Sequence, residues 1–185
     1  MPKIIVITGT PCTGKTTVSE KLAKRIKNSL LIKANELVKE KRLFTGRSRN
    51  GELIANMAKL KSEIAKSIKS SDADVVIIEG HLLCDMRIPG ATAIVIRGHL
   101  KTLQKRMKAR KYSRIKIENN TVSEAIDYCG VNAAENYMSV HEIMGGDGAV
   151  DEIIGIINGK RAARRDIDML AELNGLMEKN RRYLK

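Results

Sequence analysis

The sequence predicts an α/β fold: a doubly wound, mainly parallel sheet of about five strands flanked by helices. Two observations predict it. Short apolar runs of strand length recur along the chain, separated by amphipathic stretches long enough to cross back over a sheet. A glycine-punctuated turn lies directly between the first such run and the first such stretch, where folds of this class bind their ligands.

In chain order, KIIVIT (3–8) is a buried strand. TTVSEKLAKRIKN (16–28) is an amphipathic helix with Val18, Leu22, Ala23 and Ile26 on one face. SLLIKA (29–34) is a short second strand and ELVKEKR (36–42) a short helix. GRSRNG (46–51) reads as a polar loop, and ELIANMAKLKSEIAKSI (52–68) as a helix. DVVIIE (74–79) and TAIVIR (92–97) are buried strands, and HLKTLQKRMKAR (99–110) is a helix that runs into the basic stretch KYSRIKIENN (111–120). A helical region is expected over 121–138, starting near Thr121 or Ser123. SVHEIM (139–144) supplies a fifth strand, GGDG (145–148) a loop and AVDEIIGIIN (149–158) a helix. Residues 159–185 read as a charged helical extension with Ile167, Leu170, Leu173, Met177 and Leu184 as an intermittent stripe, expected to pack on the body or on a second subunit.

A chain of 185 residues holds one domain with a sizeable core. Its few aromatics leave that core to Ile, Leu, Val, Met and Ala. The three cysteines, Cys12, Cys84 and Cys129, lack CxxC spacing, which argues against a disulfide framework, a zinc site or a metal cluster. No apolar run approaches membrane-spanning length, and the first strand is too short for a signal peptide, so a cytoplasmic protein without a membrane partner is expected. The net charge of +13 is uneven. Residues 1–71 hold 16 Lys/Arg against 5 Asp/Glu (16 − 5 = +11), whereas 72–185 hold 18 against 16 (18 − 16 = +2). Two readings stay open: a solvated surface with phosphate-binding residues, or contact with an anionic macromolecule such as RNA.

The chemistry is carried by GTPCTGKTT (9–17), which matches GxxxxGK[ST] at Gly9, Gly14, Lys15 and Thr16. Between a strand and a helix, the backbone N–H groups of such a loop converge on a polyphosphate, which points to ATP. Lys15 is expected to bridge the β- and γ-phosphates, the Thr16 hydroxyl to ligate Mg²⁺, and Thr17 to reach the α-phosphate. Phosphoryl transfer needs a second acid at the end of a neighbouring strand. DVVIIEGH places Glu79 there as the metal-side carboxylate, with His81 two residues on. Arg106 and Arg110, four apart on one helix face, lead into Lys111, Arg114 and Lys116 and are expected to stabilise charge on the transferring phosphoryl group.

Cys12 stands where such loops often carry glycine. A positive φ there would cost on the order of 1 kcal/mol. Its thiol, near a helix N-terminus and Lys15, is expected to be acid-shifted and oxidation-prone.

GTPCTGKTT, IIEGH and IVIRGHLKTLQKRMKARKYSRIKIENN together resemble the small adenylate kinase-like proteins, and within them the adenylate kinase isoenzyme six branch found in archaea and eukaryotic nuclei. The resemblance covers roughly residues 3–157 and is weak over 33–70. It implies a P-loop kinase domain over 1–158, with an acceptor-nucleotide region at about 33–54, a lid at about 109–119, and the extension 159–185 outside it. It implies phosphorylation of a nucleoside monophosphate, AMP first, by Mg·ATP, with a slow ATPase activity. The alternative it carries is an ATPase switch in small ribosomal subunit assembly and rRNA processing, with a small-subunit ribosomal protein or rRNA as partner. Gly9, Cys12, Gly14, Lys15, Thr16 and Thr17 would cradle ATP, and Arg110 would be the lid contact to it. Glu79 departs from the aspartate usual in this branch, and the basic segment LVKEKRLFTGRSRNG departs from its acceptor region.

Overall fold

The computed structural model describes residues 2–48, 51–160 and 167–182. Five parallel strands form the central sheet: β1 (Lys3–Thr8), β2 (Ser29–Lys33), β5 (Val75–Glu79), β6 (Ala91–Arg97) and β7 (Ser139–Met144). Their spatial order is β2-β5-β1-β6-β7, so the chain reverses its direction of winding beside β1. The crossovers between them include α1 (Lys15–Arg25), α2 (Ala34–Glu40), α3 (Met57–Lys69), α4 (Leu100–Ala109), α5 (Arg114–Ala125) and α6 (Tyr128–Asn136). After β7 come α7 (Ala149–Ile157) and α8 (Leu170–Arg182).

The strands are apolar on both faces because helices cover both. Alternate residues divide cleanly. Val6, Val76, Ile78, Ala93 and Val95 pack with Val38, Leu60 and Ile64 on one side. Ile5, Ile7, Ile77, Ile94 and Ile96 pack with Val18, Leu22, Val150 and Ile153 on the other. No helix among the described residues is long and apolar enough to cross a membrane.

The expected fifth strand is present, and the expected strand limits hold to within a residue or so. Three local expectations need correction. The segment around the polar loop is a short antiparallel hairpin, β3 (Phe44–Arg47) with β4 (Leu53–Ala55), outside the main sheet. The helix expected from residue 52 therefore starts at Met57, where the Asn56 side chain accepts a hydrogen bond from the Lys59 backbone N–H. The helix expected near Thr121 or Ser123 begins at Arg114 instead, with Ser113 as its cap. It ends at Ala125, and Asp127 then takes a left-handed conformation (φ 54°) and caps α6 by accepting the Gly130 N–H.

In the extension, the buried face is turned from the expected stripe. Met169 is buried against Leu100 and Ala125, flanked by Ile167, Leu173 and Leu176, while Leu170 and Met177 face solvent. Glu172 ties this helix to the start of α4 by accepting the Lys101 N–H at 3.1 Å. Leu184 lies outside the described residues.

Candidate active site

The loop Gly9–Thr17 leaves the C-terminal end of β1, the central strand, and enters α1. Two glycines are required by its path. Gly9 has φ 134° and lies so close to β6 that a Cβ would sit 2.4 Å from the Ile96 carbonyl oxygen. Gly14 turns into the helix at φ 104°, in the left-handed region that side chains avoid. Lys15 is buried, and its Nζ donates to the Thr10 carbonyl across the loop at 2.8 Å. Burial lowers its pKa, against the raising effect of the Glu79 carboxylate. Thr16 and Thr17 begin α1 with exposed side chains.

Cys12 does adopt a positive φ, 72°. Its side chain is only 8% exposed and packs against Leu103, Met107 and Ile117, with Tyr112 beside them. The thiol is therefore packed in an apolar contact with α4 and α5.

Glu79 ends β5, next to β1 in register with Ile7 and next to β2 in register with Lys33. Burial raises its pKa, while the Lys15 charge and the neighbouring Thr16 hydroxyl lower it. His81 follows in a 3-10 helix, His81–Asp85. Burial lowers its pKa, as do the charges of Lys15 and Lys116. The fold thus brings Lys15, Thr16, Glu79 and His81 to one edge of the sheet.

The basic residues divide. Arg106 reaches the loop, donating from Nη1 to the Cys12 carbonyl at 3.0 Å. Arg110 ends α4 with an exposed side chain that makes no hydrogen bond or ion pair among the described residues. The GGDG loop also closes on this edge: Gly145 donates to the Arg97 carbonyl at 2.8 Å, and a Cβ on it would lie 2.4 Å from the Thr13 carbonyl oxygen.

A family model described as an AAA domain matches residues 5–127. A protein of Pyrococcus furiosus described as "Putative adenylate kinase" is 33% identical over 159 residues, covering 84% of each chain. The chain belongs to the adenylate kinase isoenzyme six-like family. A Methanosarcina barkeri protein of the same description is 35% identical over 76% of this chain and 75% of its own. One from Archaeoglobus fulgidus is 31% identical over 95% of this chain and 96% of its own. Among solved structures, the fold is shared with shikimate kinase of Bacteroides thetaiotaomicron, at a TM-score of 0.60 and 14% identity over 84% of this chain and 98% of that one. Aquifex aeolicus shikimate kinase gives a TM-score of 0.55 at 19% identity, over 84% of this chain and 96% of that one. This member of the adenylate kinase-like family is a P-loop phosphotransferase.

Two further constellations lie around this edge. Lys116 of α5 forms an ion pair with Glu52 beside the hairpin and lies over the Tyr112 ring at 4.0 Å. Arg97, at the end of β6, is 1% exposed and joined to Glu124, Asp127 and Glu142. Both constellations draw on residues far apart in sequence, so no local spacing announces them.

Proposed function

We propose that this kinase transfers the γ-phosphoryl group of Mg·ATP to a nucleoside monophosphate, AMP first, in the cytoplasm. The observation that carries the reading is the buried Lys15 on an intact phosphate loop, beside the strand-end Glu79. Lys15 would exchange its bond to the Thr10 carbonyl for the β- and γ-phosphates. Arg106, already at the loop, and Arg110, free to swing in, would stabilise charge on the phosphoryl group as it transfers. An acceptor phosphate is already ionised near neutral pH, so positioning and charge stabilisation suffice without a strong general base.

The residues present fit Mg²⁺. Glu79 is a buried carboxylate whose charge is disfavoured by its surroundings, and the Thr16 hydroxyl is adjacent to it. These two would hold the cation, which when bound supplies neutralisation of phosphate charge. We assign the acceptor region to about 33–54 and the lid to about 109–119. The Lys116–Glu52 ion pair then spans the two, across the space an acceptor would enter.

The test is an acceptor survey: Mg·ATP is incubated with AMP, other nucleoside monophosphates, shikimate or no acceptor, and ADP is quantified. AMP should give the fastest ADP formation. Equal rates with every addition would reject the kinase reading.

A second reading is favoured by the +11 charge of residues 1–71 and by His81 beside Glu79. In it, His81 orients water for a slow ATP hydrolysis that drives a switch on a small-subunit ribosomal protein or rRNA. RNA binding that weakens steeply with salt would support it, and no binding at low salt would remove the RNA arm.

A further inference from the structure

Cys84 and Cys129 take no part in the chemistry above. Cys84 lies in the 3-10 helix that follows Glu79, and Cys129 in the first turn of α6. Both are buried free thiols, 1% and 7% exposed. Their sulfurs nevertheless face each other at 3.6 Å, with Cys84 as donor. A disulfide holds its sulfurs about 2.05 Å apart, so bonding asks for an approach of about 1.5 Å.

The backbones on either side are held in place for it. Tyr137 Oη donates to the Leu83 carbonyl at 2.8 Å, and Asn136 Nδ2 to the Cys84 carbonyl at 3.0 Å. Asn132 Nδ2 donates to Asp85 Oδ1 at 2.7 Å. The 3-10 helix is thus stitched to α6 on both flanks of the cysteines. The hydrogen bond from Cys84 lowers the pKa of Cys129, and the Lys15 charge adds to this; the same bond and burial raise Cys84. Cys129 is the more readily ionised sulfur.

The pair also abuts the phosphate loop. Cys84 Sγ lies 3.2 Å from the His81 carbonyl oxygen, which Thr8 Oγ1 approaches at 3.4 Å from the end of β1. Thr10, whose carbonyl receives Lys15, lies beside Cys129. A Cys84–Cys129 bond would therefore bear on the backbone that carries His81 and borders the loop.

We propose that Cys84 and Cys129 form a redox-active dithiol that a peroxide converts to a disulfide, slowing phosphoryl transfer until a thiol reductant restores it. The Cys129 thiolate attacks the peroxide O–O bond, giving a sulfenic acid and, once the leaving hydroxide is protonated, water. The Cys84 sulfur then attacks the sulfenic sulfur, forming the S–S bond and releasing a second water. Two thiols and one hydrogen peroxide give one disulfide and two waters; the sulfurs lose two electrons and the peroxide gains them. A dithiol reductant reverses the bond by exchange.

The rate effect rests on the proposed kinase activity; the cross-link does not. Reduced full-length protein is exposed to graded hydrogen peroxide, denatured, alkylated and mapped by mass spectrometry without reduction, with ADP formation followed in parallel. The expected result is a Cys84–Cys129 cross-linked peptide lacking two hydrogens, Cys12 still alkylated, turnover down at least threefold, and recovery in dithiothreitol. Cys84→Ala and Cys129→Ala should keep the turnover of the reduced wild type and lose the peroxide response. Sulfinic acid on either cysteine without the cross-link overturns the proposal, as does a cross-link that leaves turnover unchanged. If either alanine variant folds poorly, the wild-type map still decides the cross-link. Reduced protein that makes no ADP from ATP and AMP would fail the kinase reading instead, and the map would still decide the disulfide.

Discussion

Arg106 and Cys12, 94 positions apart, are joined by a 3.0 Å hydrogen bond from the guanidinium to the backbone carbonyl. The Cys12 side chain meanwhile packs on Leu103 and Met107 of the same helix as Arg106. The phosphate loop and the base of the proposed lid therefore behave as one packed unit.

Arg106→Ala should lower kcat about 100-fold, in line with loss of one preorganised donor at a charge-developing centre. Its side chain is exposed apart from this bond, so the thermal midpoint should move little. Steady-state kinetics beside calorimetry checks the split; a large drop in the midpoint with unchanged kcat would make Arg106 structural.

Cys12→Gly should change unfolding free energy by less than about 1 kcal/mol. Glycine relieves a left-handed backbone worth on the order of 1 kcal/mol but removes a buried side chain contact of similar size. Denaturant unfolding measures the net; a loss above about 3 kcal/mol would mean the apolar contact dominates.

Arg97→Met should destabilise the protein by about 3–5 kcal/mol, because the buried Glu124 and Glu142 lose their shared counter-charge. Adding Glu124→Gln to that variant should recover part of the loss. Recovery of nothing would show that the cost lies in packing.

Glu63 is held down to about 2 from an ordinary 4.5 by hydrogen bonds from Lys41 and Lys66 and by their charges. The group is depressed in the folded state, so its contribution is complete above pH 4.5 and is lost as pH falls toward 2. Glu63→Gln should lower stability near neutrality, where the contribution is complete, and flatten the stability profile as pH falls toward 2. A carboxyl titration by NMR near 4.5 would contradict the assignment.

The strands and the phosphate loop were legible because their signals are local. Five apolar runs, and Gly9, Gly14, Lys15 and Thr16 at fixed spacing, need no tertiary context. The hairpin was not: Leu53–Ala55 is too short to show alternation and merged with the helix beyond Asn56. The basic run after Arg110 was read for its charge, and the Ser113 cap that starts α5 within it was passed over. Glu79 and His81 could be placed beside the loop because a strand end has a fixed place in this fold. Lys116 with Glu52, Arg97 with its carboxylates and Cys84 with Cys129 join distant segments, and only the fold brings them together.

The most direct test follows the phosphoryl group itself. ATP labelled at the γ-phosphate is incubated with Mg²⁺, AMP and either the wild type or Lys15→Ala. Label should pass into ADP made from AMP, one transfer per AMP consumed, and Lys15→Ala should lose the transfer while keeping the wild-type circular dichroism spectrum. Label released as inorganic phosphate at the same rate with or without AMP would contradict the kinase reading, as would undiminished transfer by Lys15→Ala.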